Sequence, residues 1–166
     1  MFLYLVQHAE AKREEEDPAR PLSEKGAQDI ARVAAYSAQL NIRIDKIFHS
    51  TKLRAKQTAG ILFENLKPMK GISEIDGLSP LDDVNVWAER LKGLQENVML
   101  VGHLPHLARL ASLLLFGDAD RNIVSFKMGG IVCLKKDDVG TWSLQWMLVP
   151  DVIVGEKGIG YSCDGL

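Results

Sequence analysis

Apolar and polar residues alternate in blocks along the chain, and the blocks read as strands and helices in turn. FLYLV (2–6) is a short, continuous apolar run, the pattern of a strand buried on both faces of a parallel sheet. KREEEDPARP (12–21) follows and reads as a solvated loop. Ser23 stands where a helix cap belongs, and Ala27, Ile30, Ala31, Ala34 and Ala38 recur at helical spacing, which predicts one buried face. DKIFHS (45–50) has strand character, and 50–66 reads as a helix opened by Ser50 or Thr51 and halted before Pro68.

The second half repeats the alternation. Residues 70–83 are mostly connection, with a short strand at 72–75. Val84, Trp87, Leu91 and Leu94 mark an amphipathic helix, and NVMLVG (97–102) another buried strand. Pro105 falls in the first turn of a further helix, where its missing N–H costs little, and Leu107, Leu110, Ala111, Leu114 and Leu115 form that helix's core face. Residues 129–149 suggest two strands joined by a turn around Asp138 to Gly140. The expected fold is α/β: a largely parallel central sheet with helices on both faces, ending in an antiparallel hairpin. Residues 1–150 are expected to form a single domain, and 151–166 a tail without recognisable pattern.

Composition narrows the function classes. With 166 residues there is enough chain for one substantial core, and 46% hydrophobic against 25% charged residues is an ordinary globular balance. Twenty basic against 22 acidic residues leave no polybasic face for nucleic acid or an anionic membrane, so a bound anion must be held by a few local cations. Cys133 and Cys163 have neither disulfide nor metal-ligand spacing, and FLYLV is too short for a signal-peptide core or a membrane span. The cytoplasm is the expected location.

Candidate chemistry gathers at strand ends. In open α/β sheets, ligands bind beyond the carboxyl ends of the strands. The three clearest strands here end in Gln7-His8, His49-Ser50 and Gly102-His103, and Arg54 lies about one turn into the helix after the second. Two imidazoles, a guanidinium and helix N-termini around one cavity suit a tetrahedral dianion. A neutral imidazole held through one nitrogen can attack phosphorus through the other. His49, beside Ser50, reads as structural. His106 follows His103 at a spacing that can hold zinc, yet no further Cys, His or acid completes a ligand set, so no metal and no cofactor are expected.

LYLVQHAEA, ARPLSEKG (19–26), SxxxRAxQT (50–58) and VGHLP (101–105) resemble, in order and spacing, the histidine phosphatase superfamily, and within it the SixA-type phosphohistidine phosphatases, which lack an inserted cap. The resemblance runs from residue 1 to about 150 and implies a phosphoglycerate mutase-like fold. It implies that His8 is the nucleophile that becomes phosphorylated and that Arg54 and His103 hold the phosphoryl group. Arg20 of the RPL loop would close over the same site. Where the family has Arg, this chain has Gln7, which keeps an amide donor for phosphate and loses the charge; Ala9 replaces the hallmark Gly. Asp76, Asp82 and Asp83 are the acids in the stretch where the wider superfamily places its leaving-group acid. The implied activity is metal-independent removal of phosphate from phosphohistidine on a partner protein, such as a histidine-containing phosphotransfer domain in signal transduction. A broad phosphomonoesterase or mutase, and a phosphate-binding module degenerate at Gln7, are the alternatives.

Overall fold

The computed structural model describes residues 1–153. In chain order the elements are β1 (Phe2–Gln7), α1 (Glu24–Gln39), β2 (Lys46–His49), α2 (Leu53–Leu66), β3 (Ile72–Glu74), α3 (Val84–Gly93), β4 (Val98–Gly102), α4 (His106–Phe116), β5 (Ile131–Lys136) and β6 (Trp142–Leu148), followed by a 3-10 turn at Pro150–Val152. The six strands lie in the order β3-β2-β4-β1-β5-β6. The first four are mutually parallel, and β5 and β6 form the expected antiparallel hairpin.

Two apolar layers sandwich this sheet. On one face, Ile30, Val33 and Ala34 of α1 and Ala55, Ala59 and Leu62 of α2 pack onto Val6, Ile47, Met99 and Cys133. On the other, Trp87 and Leu91 of α3 and Leu107 and Leu110 of α4 pack onto Leu3, Leu5, Leu100 and Leu134. β1 is covered on both sides, which is why its sequence is continuously apolar. No helix among the described residues is long and apolar enough to cross a membrane.

Three local expectations are corrected. The buried face of α1 is Gly26, Ile30, Val33, Ala34 and Ser37, while Ala31 and Ala38 face solvent. Gly26 decides this rotation: a Cβ there would lie 2.0 Å from the Glu10 carbonyl oxygen, so the bare glycine is what lets the helix approach the chain after β1. Ser23 is the cap of α1, accepting from the Gly26 N–H at 3.0 Å. The second correction concerns α2, which begins at Leu53 after Lys52 with no side-chain cap, instead of at Ser50 or Thr51. Ser50 is engaged elsewhere, as described below. The third is that Pro105 precedes α4 as its cap residue and does not lie in its first turn. Of the expected tail, Asp151 and Val152 belong to the 3-10 turn, and 154–166, with Cys163, lie outside the described residues.

Candidate active site

Parallel strands in register deliver their ends to one edge. Gln7 pairs with Gly102, so the residues that follow them, His8 and His103, emerge side by side, and the His8 N–H donates to the Gly102 carbonyl at 3.0 Å. The two imidazole rings lie 5.0 Å apart between centroids, tilted by 57°. His8 Nδ1 is 2.7 Å from the Ala9 carbonyl oxygen, which can only accept, so Nδ1 carries the proton and Nε2 the lone pair. Arg54 Nε–H donates to that Nε2 at 3.2 Å. One ring nitrogen is therefore anchored and the other faces a cation.

The placement of Arg54 has its own support. Thr58, one turn further along α2, accepts from the Ala9 N–H at 3.0 Å and donates to the Arg54 carbonyl at 2.7 Å. This clamps the start of α2 against the residue after His8. α2 starts without a side-chain cap, so the N–H groups of Leu53 and Arg54 at its first turn can meet an anion.

His103 is buried, with Nε2 2.9 Å from Ser50 Oγ and Nδ1 without a partner. A buried, unpartnered imidazole nitrogen is costly unless a ligand meets it. Burial lowers His103 from its ordinary 6.5 to about 3, with the His8, Arg54, Lys52 and His106 charges adding in the same direction. Burial lowers His8 from 6.5 to about 4; the Ala9 carbonyl opposes this, and Arg54 and Arg20 reinforce it. Both rings are thus neutral near pH 7. Burial also lowers Arg54, with Arg20 adding to the effect, so the cluster holds cations without a matching anion. A phosphoryl dianion would relieve that imbalance.

The structure brings the other candidates together to differing degrees. Arg20 sits in a loop whose neck is closed by Lys12 N–H to Pro21 O at 2.8 Å, Ser23 N–H to Glu10 O at 2.9 Å and Leu22 N–H to Gln57 Oε1 at 2.8 Å. Its backbone is left-handed, with φ 49°, and its charge acts on both His8 and Arg54. Gln7 is half-buried at the end of β1, and its carbonyl accepts from the Gly129 N–H.

The acids are differently employed. Asp83 caps α3, and bonds from Asn85 hold its carboxyl below the ordinary range. Asp82 accepts from the Ser79 N–H at 2.7 Å. Asp76 contributes its carbonyl to Arg90. His49 donates Nδ1–H to the Ser50 carbonyl at 2.9 Å, and His106 is buried beside the Asp82, Asp83 and Arg109 charges. No three His, Cys, Asp or Glu side chains among the described residues cluster so as to hold a metal ion.

Sequence reasoning did not assign site roles to Ser50, Gln57 and Thr58. All three lie within SxxxRAxQT, and the motif's polar positions were the available signal: Ser50 pairs with His103, Gln57 ties the Arg20 loop, and Thr58 ties Ala9.

A family model described as the histidine phosphatase superfamily (branch 1) matches residues 3–82. An uncharacterised protein of Picosynechococcus is 33% identical over 143 residues, covering 81% of this chain and 85% of that one. The chain belongs to the histidine phosphatase superfamily. Phosphohistidine phosphatase SixA of Escherichia coli is 23% identical over 155 residues, covering 90% of this chain and 94% of SixA. The solved structure of protein histidine phosphatase SixA complexed with tungstate superimposes with a TM-score of 0.81 at 23% identity, over 91% of this chain and 98% of that one. The sheet and its flanking helices are thus those of the histidine phosphatase superfamily, a superfamily of phosphatase-type enzymes, and the phosphoglycerate mutase-like fold is as expected.

Proposed function

We propose that this protein is a metal-independent phosphohistidine phosphatase that works through a covalent phospho-His8 intermediate. The observation that carries the reading is the two-sided fixation of His8. Nδ1 is held by the Ala9 carbonyl, and the Nε2 lone pair meets the Arg54 guanidinium at 3.2 Å, so a phosphoryl group drawn in by Arg54 arrives at the nucleophilic nitrogen.

In the first step His8 Nε2 forms a bond to phosphorus while the P–N bond of the incoming phosphohistidine breaks. Arg54, Arg20, the Gln7 amide, His103 and the open N–H groups of α2 hold the equatorial oxygens. The departing imidazole leaves as a neutral ring if its P-bearing form is already protonated, so no strong acid is required of the protein. In the second step water attacks phosphorus, the His8 Nε2–P bond breaks, and inorganic phosphate departs with His8 neutral again.

Of the three candidate acids, Asp82 and Asp83 are engaged by backbone N–H groups and the carboxyl of the exposed Asp76 alone is unbonded, which favours an N–P substrate, whose leaving group needs no strong acid, over an O–P one. Among the described residues no cap is inserted between the strand ends and helices of the site, which suits a phosphate carried on a protein, in keeping with the name of the SixA relative. Residues 1–150 would act as one catalytic domain.

Single-turnover mixing with a phosphohistidine-bearing protein and, separately, p-nitrophenyl phosphate, each with chelator present, tests the proposal. The expected result is acid-labile phosphate on His8 and continued release from the phosphohistidine substrate alone. Equal release from both substrates would make the protein a broad phosphomonoesterase. Phosphate binding without labelling would make it a receptor and overturn the mechanism.

A further inference from the structure

Ser50 is buried between β2 and α2, and its hydroxyl has two hydrogen-bond contacts among the described residues. The Lys52 N–H donates to Oγ at 3.4 Å, a local turn that serine favours, and His103 Nε2 lies 2.9 Å from the same oxygen. The backbone N–H of Ser50 donates to the Val101 carbonyl on β4, the strand that leads to His103. The two side chains are therefore held together across one pair of strands.

Counting donors and acceptors fixes the direction of the bond between them. A hydroxyl has one hydrogen to give, and a neutral imidazole has one N–H and one lone pair. If Nε2 carried the proton and donated to Oγ, the Ser50 hydrogen would have no acceptor, and Nδ1 would be a buried lone pair without a partner. Two buried polar groups would then go unsatisfied. If the hydroxyl donates to Nε2 instead, only the Nδ1–H is left over. Fewer orphaned groups make the second arrangement the stable one. Burial keeps His103 neutral near pH 7, so Nε2 has the lone pair that this bond requires.

The same count separates the two imidazoles of the site. Both carry the proton on Nδ1. His8 commits that N–H to the Ala9 carbonyl and keeps the Nε2 lone pair, whereas His103 commits the Nε2 lone pair to Ser50 and keeps the Nδ1–H. One ring retains a nucleophilic nitrogen and the other a donor. An anion is met by an N–H and repelled by a lone pair, so only this tautomer lets His103 hold a phosphoryl oxygen through its unpartnered nitrogen.

We propose that Ser50 is a positioning residue whose hydroxyl, by donating to His103 Nε2, locks the Nδ1–H tautomer and makes His103 a hydrogen-bond donor to the bound phosphoryl group. The role of His103 toward phosphate rests on the phosphatase reading; the tautomer does not.

Long-range proton–nitrogen correlation spectra of the histidine rings, recorded near pH 7 on the nitrogen-15-labelled full chain, read the tautomer directly. The His103 signals are identified by their loss in His103→Gln. The Nδ1–H form of His103 should exceed the other by about tenfold, the bias that one net hydrogen bond supplies. Ser50→Ala, which removes the hydroxyl and adds no bulk, should lose that excess and weaken inorganic phosphate binding by about tenfold, with its far-ultraviolet circular dichroism kept. Ser50→Thr, which restores a hydroxyl, should recover both.

An Nε2–H form dominant in the unsubstituted chain overturns the proposal, as does an Nδ1–H excess that survives in Ser50→Ala. Phosphate affinity unchanged in a Ser50→Ala protein that has lost the excess also overturns it, by removing the donor role. A tautomer and a phosphate affinity that both change as expected, in a protein whose His8 is never labelled, would uphold the assignment of Ser50 and overturn the phosphatase reading alone.

Discussion

The tips of β1 and β2 are built alike. β1 leads directly into His8 and β2 ends in His49, and each histidine donates its Nδ1–H to the carbonyl of the next residue, at 2.7 Å for His8 and 2.9 Å for His49. Each tip is also tied to β4, through His8 N–H to Gly102 O and Ser50 N–H to Val101 O, both at 3.0 Å. What differs is the far side of the ring. His8 Nε2 meets Arg54 and lies beside the His103 ring, whereas no arginine bonds His49 Nε2 among the described residues. The shared Nδ1 contact is therefore how a strand-end imidazole satisfies its own backbone, and it assigns no chemistry. The role is decided by what Nε2 faces.

The largest test breaks the two tips apart. His8→Gln should lower turnover of a phosphohistidine substrate by roughly 10⁴-fold or more and abolish phosphoenzyme. His49→Gln should leave labelling intact and lower only the melting temperature. Equal loss of turnover in both variants, with both folded, would show that the resemblance between the tips extends to function. Arg54→Ala should cost about 100- to 1,000-fold in kcat, as expected for one donor to a developing charge, while His8 keeps its Nδ1 anchor.

Gln7→Arg sharpens the comparison from the opposite direction, since it adds charge only to the β1 tip. A charge-assisted hydrogen bond contributes roughly 1.5–3 kcal/mol, so a rise of about 10-fold or more in kcat/KM is expected. An unchanged rate in the folded variant would show that a neighbour such as Arg20 already compensates for Gln7 or that the site is not catalytic.

The smallest effect is on stability. His8 and His103 are lowered to about 4 and about 3, below the ordinary 6.5 they regain on unfolding. Between those values the unfolded chain binds more protons than the folded one, so stability is full above pH 6.5 and declines as pH falls toward 4 and below. Denaturant midpoints at pH 7 and pH 5 should show the decline, and His8→Gln should reduce it while leaving the part that His103 contributes.

Much of this arrangement was legible before any coordinates. The apolar runs 2–6 and 97–102 were sound guides because a strand covered on both faces leaves no room for a polar residue. Two of the site's polar groups, His8 and His103, follow those runs directly, so their positions were inherited from the strands. Helix orientation was harder to read. Alanines fit either face of α1, and the contact that settles the matter, Gly26 against the Glu10 backbone, joins segments 16 residues apart. Ser50 was misread for a related reason: a serine before a helix usually caps it, and only the neighbouring strand brings His103 within reach.

The bond from Arg54 to His8 has a consequence for the order of events at this site. The guanidinium N–H occupies the Nε2 lone pair. If His8 is the nucleophile, as proposed above, an uncharged electrophile would find it engaged, whereas an anion would compete for the guanidinium and free the nitrogen. The proposed mechanism therefore predicts admission by charge before shape: a neutral phosphotriester should be ignored where a phosphate dianion of similar size is not.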